Sequence, residues 1–218
     1  LGAAFHFGYQ YYLVESYKKG DLSQVYPIAR ASAPLIVTLI SLFILDVNLG
    51  FSELIGITLI ASGLVASSGL HNKKIPSLAV KSALITGCFI AAYSITDGYG
   101  GRIGGSPVAF YGWLAIINGL VWLAYIFVVS PASIPKMFGS AKWVFVGGGL
   151  ASFLAYSLIM YAFSKAPIAI VMALRETSII FALLLGIFFL KEKITYTKLV
   201  GITLTVFGII ILRLQILN

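Results

Sequence analysis

Long apolar runs separated by short polar segments set the pattern of this chain. About 20 apolar residues are needed to cross a bilayer as a helix, and eight runs come close to that length. The predicted spans, A to H, cover residues 1–17, 23–45, 52–70, 79–98, 107–130, 143–164, 168–190 and 195–214. The segments between them are rich in Gly, Pro, Asn and Lys. The pattern predicts an all-α, polytopic membrane protein with eight visible transmembrane helices.

Composition supports this class. The chain is 60% hydrophobic and 10% charged, with a mean hydropathy of +1.00, whereas soluble domains carry about 25% charged residues. Its net charge of +8 could indicate nucleic-acid binding. The basic residues lie in short loops between apolar runs, however, where they act as topology signals. We therefore expect a lipid bilayer around the chain and no nucleic-acid partner.

The chain matches itself when it is shifted along its own sequence. Residues 1–68 align on residues 146–213 without a gap, and Gly56-Ile57-Thr58-Leu59 falls on Gly201-Ile202-Thr203-Leu204. Spans A, B and C therefore repeat as F, G and H. Span F is the fifth span after A, and an odd offset inverts the second copy relative to the first.

An inverted repeat predicts the domain organisation. Residues 1–70 would hold the last three helices of a first repeat, and residues 78–214 a complete second repeat of five helices. We therefore expect a ten-helix (5+5) fold from which this sequence lacks the first two helices.

Basic residues are distributed unequally between the two sides of the predicted membrane. The richer side carries ten lysines: Lys18, Lys19, Lys73, Lys74, Lys81, Lys136, Lys142, Lys191, Lys193 and Lys198. The other side carries Arg102, Lys165 and Arg213. The positive-inside rule places the richer side in the cytoplasm and predicts an external C-terminus.

Arg30 and Arg175 are repeat mates inside predicted spans B and G. A charge at membrane depth costs roughly 3 kcal/mol on insertion scales, so such residues face a protein interior or an aqueous cavity. Inversion of the repeat places the two guanidinium groups on either side of the membrane midplane. A guanidinium group suits carboxylate or phosphate recognition. We expect both arginines to bind substrate; the alternative is a structural pairing with a carboxylate or helix-end carbonyls.

Other polar residues within the spans are candidates for the same cavity. Tyr26, Tyr93 and Tyr156 offer an aromatic ring with a hydroxyl group, although tyrosines near helix ends also serve as interfacial anchors. His6 and Gln10 lie four residues apart and share one face of span A. They would line the cavity or form hydrogen bonds between helices.

Glu176 and Asp97 are the candidates for proton coupling, because a partly buried carboxyl group can bind and release a proton. Adjacent helical residues point about 100° apart, so Glu176 and Arg175 should find partners on other helices. Asp97 falls at the predicted end of span D. It would line the cavity mouth, pair with Arg102 or serve as a turn residue.

Other features of the spans concern packing and chemistry. Pro27 and Pro34 should bend span B, and Gly147-Gly148-Gly149 should let another helix approach span F.

Cys88 is the sole cysteine, which excludes an intrachain disulfide, and we expect it to be a small buried hydrophobe. No nucleophile–base or metal-ligand arrangement is visible, so we expect no enzyme activity, metal or cofactor.

Two segments carry a resemblance to a known family. They are Lys19-Gly20-Asp21-Leu22-Ser23-Gln24-Val25-Tyr26-Pro27-Ile28-Ala29-Arg30 and Ala173-Leu174-Arg175-Glu176-Thr177-Ser178, the latter followed by Leu190-Lys191-Glu192-Lys193. Together with the two halves, they make the chain resemble the EamA-type transporters of the drug/metabolite transporter superfamily. The resemblance implies ten helices around a central cavity, small-metabolite transport by proton coupling or exchange, and both termini in the cytoplasm.

We therefore expect a secondary transporter of small polar metabolites, such as amino acids or related anionic or zwitterionic compounds, that works by alternating access. It would lie in a bacterial cytoplasmic (inner) membrane, with a homodimer as an open alternative. The competing hypothesis is a non-transporting accessory or scaffold membrane protein, which would need no charged residues near the midplane.

Overall fold

The computed structural model describes residues 1–20, 22–67, 76–181 and 195–216, which form helices and short turns with no strand among them. The helices are α1 (Gly2–Lys19), α2 (Leu22–Phe43), α3 (Phe51–Ser67), α4 (Ser77–Ile103), α5 (Pro107–Val129), α6 (Ser133–Phe138), α7 (Lys142–Phe163), α8 (Ile168–Arg175) and α9 (Tyr196–Ile216). The predicted ends of spans C and G lie outside the described residues, as do Asp21, Lys73, Lys74 and the segment Leu190-Lys191-Glu192-Lys193.

Five segments in the described part of the chain are long and apolar enough to cross a membrane: Val25–Phe43, Ser77–Ile103, Pro107–Val129, Lys142–Phe163 and Tyr196–Leu214. The α3 helix is shorter but equally apolar in character. The α1 helix is not among the five, because its polar and charged residues lower its hydropathy. The chain is thus an all-helical, multi-pass membrane protein, and the count of eight spans stays a prediction.

The α4 helix extends past its predicted end at Gly98 and reaches Ile103. Gly104 closes it with a hydrogen bond from its N–H to the carbonyl of Gly100, and Gly105 turns the chain with a φ of 74°. Ser106 then caps α5 by accepting a hydrogen bond from the N–H of Ala109. The prediction that Asp97 closes the helix is therefore wrong: it lies inside α4 with its side chain fully buried.

Predicted span G is not one continuous helix. The α8 helix ends at Arg175, residues 176–177 form a turn, and helical backbone resumes at residues 178–181. The N–H groups of Glu176 and Thr177 bond to carbonyls only three residues back, at 3.0 Å each, which is the tighter 3₁₀ pattern. Residues 176–177 therefore form a local discontinuity within predicted span G.

The structure bears on the predictions made for the prolines of α2, the glycines of α7 and the cysteine of α4. The α2 helix runs through Pro27 and Pro34 without a break. A side chain at any of residues 147–149 would meet nothing within 4 Å, so no described helix uses the close approach expected there. Cys88 is exposed on α4, and the expectation that it would be buried is wrong because its side chain points away from the helices packed on α4.

The α3 and α9 helices cross at glycines that belong to the sequence repeat. A Cβ atom on Gly63 would lie 2.5 Å from the carbonyl oxygen of Gly201, and one on Gly208 would lie 2.6 Å from that of Gly56. Each glycine of α3 thus contacts the repeat mate of the other, which is the contact pattern of a two-fold axis. The α4 helix packs against α1, α2, α5, α7 and α8, and its contacts with α1 and α2 are the most extensive.

Candidate functional site

A cavity of about 380 Å³ opens between the helices that surround α4. Six of the residues predicted for the site line it: His6, Gln10, Tyr93, Tyr156, Arg30 and Arg175. The other three, Tyr26, Asp97 and Glu176, contact residues of this lining without being part of it. The nine predicted residues therefore come together around one cavity, although they come from five segments of the chain.

The guanidinium group of Arg30 donates hydrogen bonds to three side chains. Its Nε donates to Oε2 of Glu176 at 2.9 Å, its Nη2 donates to Oγ of Ser178 at 3.2 Å, and its Nη1 donates to the hydroxyl of Tyr26 at 3.3 Å. Glu176 is 2% exposed, so it is a buried acid matched by a cation. Arg30 thereby joins α2 to the discontinuity that follows α8.

Arg175 has a different environment. Both of its Nη atoms lie 3.2 Å from the hydroxyl of Tyr93, and its guanidinium lies 5.7 Å from the ring centre of Tyr156. No carboxylate among the described residues lies within ion-pair distance of it. The positive charge of Arg175 is therefore held by aromatic groups and faces the cavity.

Asp97 is fully buried behind the cavity wall, where two side chains bind the same oxygen. Nε2 of His6 lies 2.7 Å from Oδ2 of Asp97, and the hydroxyl of Tyr156 donates to that oxygen at 2.9 Å. The His6 ring stacks on Tyr93 with 4.0 Å between ring centres. The three predicted residues His6, Asp97 and Tyr156 thus form one buried hydrogen-bonded cluster.

Gln10 takes part in a second polar group at the cavity wall. Its Oε1 accepts hydrogen bonds from Nδ2 of Asn118, at 3.2 Å, and from the indole N–H of Trp122. Oδ1 of Asn118 is buried without a partner in the described part of the chain. This amide pair connects α1 to α5.

Arg102 does not pair with Asp97, which was one of the alternatives for that acid. Its Nε donates to the carbonyl of Phe163 and its Nη2 donates to the carbonyl of Ala166, each at 2.9 Å. Phe163 is the last residue of α7, where helical acceptors have no intrahelical partner, and Ala166 lies in the turn between α7 and α8. Arg102 is therefore a helix cap.

The cavity also contains residues that sequence reasoning missed: Tyr9, Tyr111, Leu114, Ala115, Asn118, Gly119, Ser152, Ala155, Ile159 and Ser178. Asn118 could have been found, because an amide inside an apolar span needs a hydrogen-bond partner. Tyr9 and Tyr111 carry no such signal, since several other tyrosines of the same spans look identical in sequence. The described residues contain no group of three or more His, Cys, Asp or Glu that could hold a metal ion.

Comparison with known proteins supplies the family. A solved crystal structure has 16% sequence identity to this chain and a TM-score of 0.66, over 98% of this chain and 82% of the other. At that identity the match shows a shared fold alone. A search of curated proteins finds no match. The sequence profile of the EamA-like transporter family matches residues 77–214, well over half of the chain. The chain belongs to the EamA-like transporter family.

Proposed function

We propose that this protein is a secondary transporter of small polar metabolites that carry an anionic group, and that Arg175 binds that group. The observation that carries the proposal is the contrast between the two arginines. Arg30 is neutralised by Glu176, whereas Arg175 faces the cavity with no carboxylate partner among the described residues. An unpaired cation at membrane depth is costly, so its retention points to a ligand of opposite charge.

The groups beside Arg175 suit a carboxylate. The hydroxyl of Tyr93 accepts hydrogen bonds from both Nη atoms of Arg175, which leaves its own proton free to donate to a bound anion. The side chains of Gln10 and Asn118 also line the cavity and supply polar amide groups for an ammonium or hydroxyl group of the same substrate. Amino acids and related zwitterions combine these features.

The same proposal includes the ten-helix, inverted-repeat organisation, with residues 1–70 and 78–214 as parts of its two units. The two-fold contacts between α3 and α9 support it. A second support is that α1 and α7 are repeat mates with unequal surroundings. A Cβ atom on Gly2 of α1 would lie against Asp97 and Leu114, whereas one on its mate Gly147 would meet no described residue within 4 Å. Two further helices, related to α4 and α5 by the repeat, would cover that face of α7.

In this scheme, alternating access moves one repeat against the other around the cavity. The discontinuity at residues 176–177 provides backbone that can change conformation, and Arg30 holds it from α2. We place the protein in a bacterial cytoplasmic membrane, with the lysine-rich loops on the inside.

Uptake into proteoliposomes tests the proposal. Radiolabelled alanine, glutamate, succinate and glucose 6-phosphate would be presented to the purified protein, with protein-free liposomes as blank. We expect saturable uptake of at least one compound and a loss of tenfold or more in Arg175→Ala. Arg213→Ala is the matched control, because Arg213 is exposed on α9. Equal uptake in Arg175→Ala and the unmodified protein would contradict the site assignment. No uptake of any compound would favour the scaffold hypothesis.

A further inference from the structure

We propose that the substrate carries one anionic group, a carboxylate, and an uncharged, apolar side group, and that α5 and α7 select this side group, with Gly119 setting the space for it. This inference rests on the proposed transport function and adds the chemical class of the substrate. It starts from the unequal composition of the cavity lining. The two arginines of the lining come from α2 and α8, whereas the described α5 and α7 helices contribute uncharged residues to it.

One face of α5 and one face of α7 form the uncharged wall of the cavity. The lining residues of α5 fall at positions 111, 114, 115, 118 and 119, and those of α7 fall at 152, 155, 156 and 159. Steps of three and four residues keep side chains on one face of a helix. The apolar members of the wall are Leu114, Ala115, Gly119, Ala155 and Ile159. A substrate bound by Arg175 therefore meets a largely apolar surface on these two helices.

The cavity lining offers one guanidinium group to a substrate anion. Arg30 already donates hydrogen bonds to Glu176, Ser178 and Tyr26, whereas Arg175 has no carboxylate partner among the described residues. A second carboxylate on the substrate would therefore lie against the uncharged wall, and taking a charge out of water without a counter-ion is costly. A cationic side group would instead be repelled by Arg175. Both charges favour an uncharged side group.

The size of the cavity and the small residues of its wall set the size of that group. The cavity volume of about 380 Å³ lies near the lower end of the range for small-molecule pockets, about 300–1,000 Å³. Ala115, Gly119 and Ala155 occupy little of this space. Burial of apolar surface is favourable in proportion to the area removed from water. An apolar side group that fills the space beside these residues should therefore bind more tightly than a methyl group.

Gly119 is the wall position that can be enlarged with the least disturbance. A Cβ atom there would meet no described residue within 4 Å, so a larger side chain enters open space and displaces no described helix. Gly112 lies two turns earlier on the same stripe of α5 and has equally open surroundings, but it is not part of the cavity lining. The same substitution at the two glycines therefore differs in whether it takes space from the substrate.

Binding of three amino acids to the purified full chain in lipid nanodiscs tests the class of side group. Ligand-observed NMR titrations, which detect weak binding, would compare alanine, leucine and aspartate, with Arg175→Ala as the blank. Leucine and aspartate branch at the same carbon atom, where one carries two methyl groups and the other two carboxylate oxygens. We expect leucine to bind at least tenfold more tightly than aspartate and at least threefold more tightly than alanine. Equal or tighter binding of aspartate, or no binding of leucine, would overturn the proposal.

The space beside Gly119 is tested by the same titrations in two pairs of variants. Gly119→Leu should weaken leucine binding tenfold or more while alanine binding stays within twofold, and Gly119→Ala should give a smaller loss for leucine. Gly112→Leu and Gly112→Ala should bind both compounds as the unmodified protein does. Unchanged leucine binding in both Gly119 variants, or equal losses for leucine and alanine, would overturn the role of Gly119.

Binding and uptake together separate this inference from the transport function on which it rests. Uptake of glutamate, succinate or glucose 6-phosphate without leucine binding would keep the transport function and overturn the apolar side group. Leucine binding with the expected dependence on Arg175 and Gly119, in a protein that takes up no compound, would support the binding site and contradict transport.

Discussion

Nε of Arg30 lies 2.9 Å from Oε2 of Glu176, so one arginine of the repeated pair is neutralised by the acid that follows the other. The mate of Glu176 in the first copy is Ala31, and no corresponding acid stands beside Arg30. The two arginines therefore differ in role although they are equivalent in the repeat. One joins the two copies, and the other keeps its charge available to the cavity.

The first prediction concerns the Arg30–Glu176 pair. Glu176→Leu leaves Arg30 without its counter-charge, and loss of one partner of a buried pair costs about 3–5 kcal/mol. The double substitution Arg30→Leu/Glu176→Leu removes both charges and should be less destabilising than Glu176→Leu alone. Thermal unfolding of the purified variants measures the difference.

Glu15→Leu is the matched control for this comparison. Glu15 also pairs with a cation, Lys18, at 2.7 Å, but the lysine side chain is 64% exposed. An exposed pair contributes little to stability, because water and salt screen its charges. Equal destabilisation in Glu15→Leu and Glu176→Leu would refute the structural importance of the Arg30–Glu176 pair.

A second prediction separates Asp97 from Arg102. Asp97→Asn disturbs the cluster of Asp97 with His6 and Tyr156, while Arg102→Gln removes hydrogen bonds to the carbonyls of Phe163 and Ala166. We expect each substitution to destabilise the protein by about 1–3 kcal/mol. Since the two residues share no partner, the effects should add to within about 0.5 kcal/mol in a double-mutant cycle. A larger coupling energy would indicate a direct interaction between Asp97 and Arg102, which is the ion pair that the sequence analysis gave as one alternative.

The sequence was sufficient to predict an all-helical, multi-pass membrane protein and six of the residues that line the cavity. Apolar runs of membrane length identify helices, and a charged residue inside such a run has few places to lie. That reasoning was enough to select Arg30, Arg175, His6 and Gln10, all of which line the cavity. The family profile confirms the EamA assignment.

Features that depend on long-range packing could not be derived in this way. The ion pair between Arg30 and Glu176 joins residues 146 positions apart, and Asp97 meets His6 across 91 positions. Hydrophobic periodicity carries no information on such partners. The discontinuity after Arg175 was not predicted either, because residues 176–177 contain neither Gly nor Pro, the residues that usually signal a helix end.

A third prediction concerns the geometry required at Arg175. Arg175→Lys keeps the charge but replaces a planar group with a point charge. A lysine cannot bond the Tyr93 hydroxyl through two nitrogens and still present a fork to a carboxylate. We expect uptake of the transported compound to fall by tenfold or more, which corresponds to about 1.4 kcal/mol, with thermal stability retained. Arg213→Lys should transport normally, and full activity in Arg175→Lys would show that charge alone is sufficient.

The last prediction tests the crossing of α3 and α9. A methyl group on Gly201 would lie 2.5 Å from the carbonyl oxygen of Gly63, and one on Gly63 would lie equally close to that of Gly201. Because backbone atoms cannot move aside like a flexible side chain, Gly201→Ala must separate the helices. The cost of such overpacking is about 1–3 kcal/mol. Gly112→Ala is the control, since no described residue lies within 4 Å of a Cβ at that position, and it should leave the unfolding temperature unchanged or higher.

The two-fold contact makes a sharper form of this prediction. Either methyl group requires the same separation of α3 from α9, so most of the cost falls on the first substitution. Gly63→Ala/Gly201→Ala should therefore be less destabilising than the sum of the two single variants. Additive losses would mean that the two positions act independently, and would contradict a crossing in which each glycine accommodates the backbone of the other.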